Sequence, residues 1–144
     1  MNLGYGKTAT SPVLARRQAM LRPHDRYVIN RDRILGEAIK AIDDADGQVA
    51  FDRPDLVMPG RPVFQEMVKW LEQYRDKGMF MPHDVNVGTE MARIVTGGDV
   101  DPGTVMSEQD FYDAERRSFL TLVSGEATRE RINSMLDAGS PVRN

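Results

Sequence analysis

Ser107-Glu108-Gln109-Asp110-Phe111-Tyr112-Asp113-Ala114-Glu115-Arg116-Arg117-Ser118-Phe119-Leu120-Thr121-Leu122-Val123 reads as one helix with its start written into it. Ser107 offers a side-chain oxygen to the first free backbone N–H groups, and Asp110, at the N3 position, can reach back to the N–H of Ser107, the reciprocal arrangement of a capping box. Phe111, Ala114, Phe119, Leu122 and Val123 then recur at helical spacing, which places them on an inward face. Gly125 breaks the run.

Working outward, the same period governs both flanks. Toward the C-terminus a last helix places Thr128, Ile132, Met135 and Leu136 on one face and ends at Gly139, with Pro141 just beyond. Toward the N-terminus a helix from about His83 to Thr96 carries Val87, Met91, Ile94 and Val95 inward and stops at Gly97-Gly98, and the stretch Asp99 to Met106 is a loop. Before it, Pro62 opens a helix with Val63, Phe64, Met67, Val68, Leu71 and Tyr74 on one stripe, Trp70 near its edge and Gly78 as its end. Gly47 to Arg61 contains Pro54, Pro59 and Gly60 and little periodicity, so it reads as an extended linker.

Upstream of that linker, Ser11-Pro12 caps and opens a short helix through Val13, Leu14 and Ala15 that stops before Pro23. Asn30 caps a second, with Ile34, Leu35, Ala38, Ile39 and Ile42 in register and Gly47 as its stop. Asp43, Asp44 and Asp46 crowd the negative end of that helix's dipole, which favours fraying there. Tyr27-Val28-Ile29 is the one short stretch with strand character. The expected class is all-α: an irregular bundle of about six helices, with residues 1–46 helical, 47–61 a linker and 62–144 a helical C-terminal bundle.

Composition narrows the function classes. The chain has 144 residues, 19 basic and 22 acidic, for a net charge of −3, and no cysteine. Disulfides, Cys-type zinc sites, thiol nucleophiles and iron–sulfur clusters are therefore excluded. A sequence pI of about 5.4 without a basic stripe speaks against nucleic acid. No apolar run approaches the roughly 18–20 residues that span a bilayer, and Lys7 is not followed by an apolar signal core. The expectation is a cytoplasmic protein bound to neither nucleic acid nor membrane. The nine methionines suit adaptable packing.

Four groups of residues invite a chemical reading. Gly4-Tyr5-Gly6-Lys7-Thr8 resembles the tail of a phosphate-binding loop, but Met1 stands where the first glycine is required and no strand precedes it. Asp99-Val100-Asp101-Pro102-Gly103 resembles the opening of a calcium loop, with Ser107 and Asp110 at its ninth and twelfth positions. There Thr104 replaces the obligatory glycine, so a turn between helices is the better reading. His24 and His83 each follow proline and precede aspartate, with no second histidine at ligand spacing; Pro82-His83-Asp84 is more naturally a helix start. Arg16-Arg17, Arg31-Asp32-Arg33 and Arg116-Arg117 read as solvated faces paired with acids such as Glu37, Asp113 and Glu115. No residue is nominated as catalytic, cofactor-binding or metal-ligating.

A family resemblance supplies what these patterns do not. Thr8-Ala9-Thr10-Ser11, Leu21-Arg22-Pro23-His24-Asp25-Arg26 and Asn30-Arg31-Asp32-Arg33-Ile34-Leu35 resemble the end of the crotonase domain in bacterial two-domain 3-hydroxyacyl-CoA dehydrogenases. Pro82-His83-Asp84-Val85, Thr96-Gly97-Gly98-Asp99, Glu115 to Leu122, Glu130-Arg131-Ile132, Met135-Leu136 and the closing Gly139, Pro141, Arg143-Asn144 resemble the helical C-terminal tail of the same enzymes. The resemblance implies fatty-acid β-oxidation, with NAD and acyl-CoA bound by the intact enzyme, which joins a dehydrogenase to an enoyl-CoA hydratase-like portion. The family's dinucleotide fingerprint, dehydrogenase His and Glu, and crotonase oxyanion hole belong to regions upstream of this segment. No catalytic role is thus carried onto a position here. The resemblance implies packing, oligomerisation or completion of an acyl-CoA site, through self-association or through the catalytic part of an acyl-CoA enzyme. An independent helical interaction module is the alternative.

Overall fold

The computed structural model describes residues 8–45 and 55–144. The chain is all-α, in two compact units divided between residues 52 and 53. The first contains α1 (Pro12–Arg17), a 3-10 turn over Arg31–Arg33 and α2 (Ile34–Asp44); the second contains β1 (Leu56–Val57), α3 (Arg61–Asp76), α4 (Pro82–Thr96), β2 (Val105–Met106), α5 (Glu108–Ser124) and α6 (Glu126–Ala138).

In the first unit the cap expected at Ser11 is in place, whereas Asn30 caps the 3-10 turn and α2, opening at Ile34 behind Arg33, has no side-chain cap of its own. Ser11 Oγ accepts from Leu14 N at 3.2 Å with Pro12 in the first turn, and Asn30 Oδ1 accepts from Asp32 N at 3.0 Å. An exposed Arg26–Asp44 pair at 3.3 Å meets one of the acids at the α2 C-terminus. The stop foreseen at Gly47, with Asp46, lies outside the described residues. Tyr27-Val28-Ile29 forms no strand, because no second edge pairs with it among the described residues. Among residues 8–45 none is buried. The face Ile34, Leu35, Ala38, Ile39 and Ile42 is in solvent throughout, with Leu35 and Ile42 each 73% exposed.

The second unit is built around α4. Packed against α3 on one side and α5 on the other, α4 buries His83, Val85, Ala92 and Thr96, while most of its other side chains are half-buried. α3 lays Phe64, Val68, Leu71 and Tyr74 toward it, and Gly88 admits Leu71 so closely that an added Cβ would stand 2.7 Å from its Cδ2. Trp70, Tyr74 and Phe80 pack ring on ring at the α3–α4 turn, with centroids 4.2 to 5.7 Å apart. Val95, expected inward, is exposed in the last turn of α4.

The stretch 47–61 was expected to be a linker. Residues 47–54 lie outside the described residues, and from 55 onward the chain belongs to the second unit. Leu56 and Val57 pair antiparallel with Met106 and Val105, and Met58 N continues the contact to the Thr104 carbonyl at 2.8 Å. Met58 is buried beside Gly97. Two-residue strands have no alternation to read, and their partner lies far along the chain.

Thr96 fixes the end of α4. It is buried, donates from Oγ1 to the Ala92 carbonyl at 2.7 Å, and accepts from Gly98 N at 3.2 Å, while Gly97 turns left-handed at φ +80. Thr96→Val keeps the shape and strands the buried Gly98 N–H, so it should destabilise by about 1–3 kcal/mol. Thermal unfolding followed by circular dichroism should show a midpoint lower by roughly 4–8 °C per kcal/mol for a unit of this size. An unchanged midpoint would show that water replaces the bond.

Candidate functional site

α4 begins at Pro82, which has no N–H to satisfy, and its next N–H groups are met from outside the helix, that of His83 by the Asn144 carbonyl at 3.3 Å and that of Asp84 by the Met81 carbonyl at 3.0 Å. Asp84 Oδ2 accepts from Met81 N at 2.8 Å, and Asp84 Oδ1 pairs with the Arg131 guanidinium of α6 at 2.8 Å. His83 is 6% exposed, and its Nε2 is hydrogen-bonded to Thr128 Oγ1 of α6 at 3.0 Å. Burial, and next the nearby Arg131 charge, hold the His83 pKa below its ordinary value, against the opposing pull of Asp84 and Glu130.

The chain's residue 144 completes the cluster. Asn144 accepts from Arg131 Nε at its side-chain oxygen (2.7 Å) and from another Arg131 nitrogen at its carbonyl (2.9 Å). Its amide nitrogen donates to the Ala127 carbonyl at 3.1 Å and to Glu130 Oε2 at 2.9 Å, and His83 N donates to its carbonyl at 3.3 Å. A cleft of about 370 Å³ lies beside it, with Asn86, Thr89 and Glu90 of α4 on one wall and Thr121, Leu122, Gly125 and Glu126 on the other. Chemically the cluster fastens α4, α6 and the 139–144 tail together: the imidazole is engaged with a hydroxyl, the Asp84 oxygens with an amide and a guanidinium.

The other sequence candidates separate. His24 is exposed in the Pro23–Asp25 turn of the first unit, where Asp25 accepts from Arg22 N at 2.7 Å and from Arg22 Nε at 3.0 Å; the backbone bond above all lowers its pKa. Asp99 and Asp101 face Arg61, which forms a close ion pair with Asp99 and lies 3.9 Å from Asp101, so a cation already sits where the calcium reading placed a metal. Ser107 and Asp110 form the expected capping box, with Ser107 N to Asp110 Oδ2 at 2.9 Å and Asp110 N to Ser107 Oγ at 3.2 Å. Among the described residues no group of three or more His, Asp or Glu is placed to hold a metal ion. The Gly4-to-Lys7 part of the loop-like string lies outside the described residues. Arg31, Arg33, Arg116 and Arg117 are exposed, and Arg16 stacks over Tyr27 at 5.3 Å.

Thr128, Arg131 and the burial of His83 were not legible as a site. On α6 the apolar residues Ile132, Met135 and Leu136 are exposed, Leu136 at 78%, and the attached face is Ala127, Thr128, Arg131 and Ser134. α5 departs in the same way: Phe119 is 59% exposed, and the face toward α4 runs through Phe111, Ala114, Ser118 and Leu122. A step of one residue turns a helix by roughly 100°, so Ser118 inward carries Phe119 out.

Fold and cluster together define a mainly helical chain whose second unit is tied by polar contacts at the entry of α4. It is similar to the C-terminal part of a protein described as "Probable 3-hydroxyacyl-CoA dehydrogenase" from Bacillus subtilis (strain 168), 29% identical over 146 residues. That match covers 99% of this chain and 18% of the relative, so the chain spans about a fifth of the protein it resembles. No family model matches the chain, and no solved structure matches it. No helix among the described residues is long and apolar enough to cross a membrane.

Proposed function

We propose that this chain acts as the non-catalytic helical C-terminal portion of a cytoplasmic 3-hydroxyacyl-CoA dehydrogenase of fatty-acid β-oxidation. Residues 8–45 complete the packing of a crotonase-like part, and NAD and acyl-CoA are held by the remainder of the enzyme. The observation that carries this reading is the first unit's lack of any buried described residue. A unit of about 50 residues, Met1–Asp52, is marginal on its own core without disulfides, metal or a partner surface, and α2 presents a continuous apolar stripe with its charged residues Glu37, Lys40, Asp43 and Asp44 on the other side. A surface of that kind is an interface missing its other half.

The test is capture from the source cell with an antibody to residues 129–144, followed by assay of the captured material for NAD reduction with a 3-hydroxyacyl-CoA. The expected result is dehydrogenase activity in the capture. Captured chain without that activity would overturn the proposal and leave an independent interaction module.

A further inference from the structure

α6 is attached in an unusual way for a helix of 13 residues. It buries no side chain, and it follows α5 across the single residue Gly125, whose extended backbone (φ −80, ψ 144) is the only break between the two helices. What ties it to α4 is polar: Thr128 to His83, Arg131 to Asp84, and Asn144 bridging Arg131, Ala127 and Glu130 of α6 to the His83 backbone. A helix held by a few hydrogen bonds beside an open cleft, with a one-residue hinge, is suited to opening locally while the α3–α4 core stays closed.

His83 couples that opening to protons. Asp84 and Glu90 of α4 and Glu126, Glu130 and Arg131 of α6 surround the imidazole or line its cleft, and α5 brings Thr121 and Leu122 there. The two carboxylates whose charge acts on the imidazole are already engaged, Asp84 with Arg131 and Met81 N, Glu130 with the Asn144 amide. A proton arriving at the closed site therefore places a buried cation beside the half-buried Arg131 guanidinium, whereas swinging α6 away delivers the imidazolium to water. We propose that α6 and the 139–144 tail form an acid-released latch, closed on α4 while His83 is neutral and swung out about Gly125 when His83 is protonated.

The sign follows from linkage. The closed state lowers the His83 pKa from 6.5, so its stability is complete above pH 6.5 and falls as pH drops from there toward the lowered value. With one proton taken up, the opening constant rises at most about tenfold per pH unit in that window.

Hydrogen exchange on the full chain at pH 7.5 and 5.5, corrected for intrinsic rates, tests the latch. Protection of residues 126–144 should fall severalfold at pH 5.5 while residues 85–96 keep theirs. In His83→Gln the pH response should vanish, and in Asn144→Ala the 126–144 amides should exchange faster at both pH values. Equal protection of 126–144 at both pH values in the parent chain, or an undiminished response in folded His83→Gln, overturns the proposal. If His83→Gln does not fold, NMR titration of the native chain decides. Shifts in α6 that track the His83 ring support the latch, and shifts that track carboxylate titration overturn it.

Discussion

Replacing Gly60 by alanine should lower the thermal midpoint of the second unit by on the order of 15–30 °C, the size expected for a loss of about 4 kcal/mol in a domain of this length. Gly60 has φ +73 and ψ −163, a region open essentially to glycine alone, and holding another residue there costs roughly 1–3 kcal/mol. Space adds to strain. A Cβ at position 60 would stand 2.6 Å from the Val100 carbonyl oxygen, 2.7 Å from Pro102 N and 2.8 Å from the Asp101 carbonyl carbon. These are backbone atoms, so no rotamer change relieves the overlap, and forced backbone shifts add about 1–3 kcal/mol. The same residue donates its N–H to the Thr96 carbonyl at 2.9 Å, and Arg61 N bonds the Val100 carbonyl at 2.8 Å, so the displacement reaches the end of α4 and the start of α3 together. Gly103→Ala is the matched comparison: φ is +86, but nothing lies within 4 Å of its Cβ, and only the left-handed cost of roughly 1–2 kcal/mol applies. Equal midpoints for the two variants would show that the 97–104 loop yields freely and that Gly60 is not a packing point.

Changing Ile39 and Ile42 together to aspartate should reduce to background the dehydrogenase activity captured with the chain, with the second unit's unfolding unaltered. Ile39 is 52% exposed and Ile42 73% exposed, so the described chain gains little from them. On the proposed function, their value lies in what they would bury against the remainder of a dehydrogenase. Each isoleucine is worth about 1.5–3 kcal/mol when buried, and losing two removes roughly 3–6 kcal/mol before the cost of placing carboxylates there is added. That weakens an association at least about a hundredfold. Lys40→Gln, on the polar side of α2, should leave the captured activity unchanged. Undiminished activity in the Asp pair would mean that α2 faces solvent in the working enzyme, and the proposed packing role would fail for this unit.

Helix ends were the most legible part of the protein. Ser11, Asn30 and the Ser107/Asp110 box each act within three residues of themselves, and Gly97 and Gly139 stop their helices by adopting positive φ, so neighbours in sequence suffice to place them. Buried faces were less so. Apolar spacing selected Phe119, Val95 and the Ile132–Met135–Leu136 stripe, yet Ser118, Thr96, His83 and Arg131 are the residues turned inward or engaged between helices. Thr96 has its hydroxyl met within its own turn, and His83 and Arg131 have theirs met across an interface, Arg131 by Asp84 and Asn144, and a polar group so matched can occupy a position that hydropathy assigns to solvent.

By itself, then, the sequence determined the all-α class, the helix boundaries of the second unit and the likeness to the C-terminal part of a 3-hydroxyacyl-CoA dehydrogenase, because capping, turn conformation and period act over a few residues. Only the tertiary structure decided that Leu56–Val57 pairs with Val105–Met106, that Gly60 fits under Val100 to Pro102, and that His83, Thr128, Arg131 and Asn144 meet. Those contacts join residues distant in the chain, and whether a histidine or an arginine faces inward depends on which partner arrives to satisfy it.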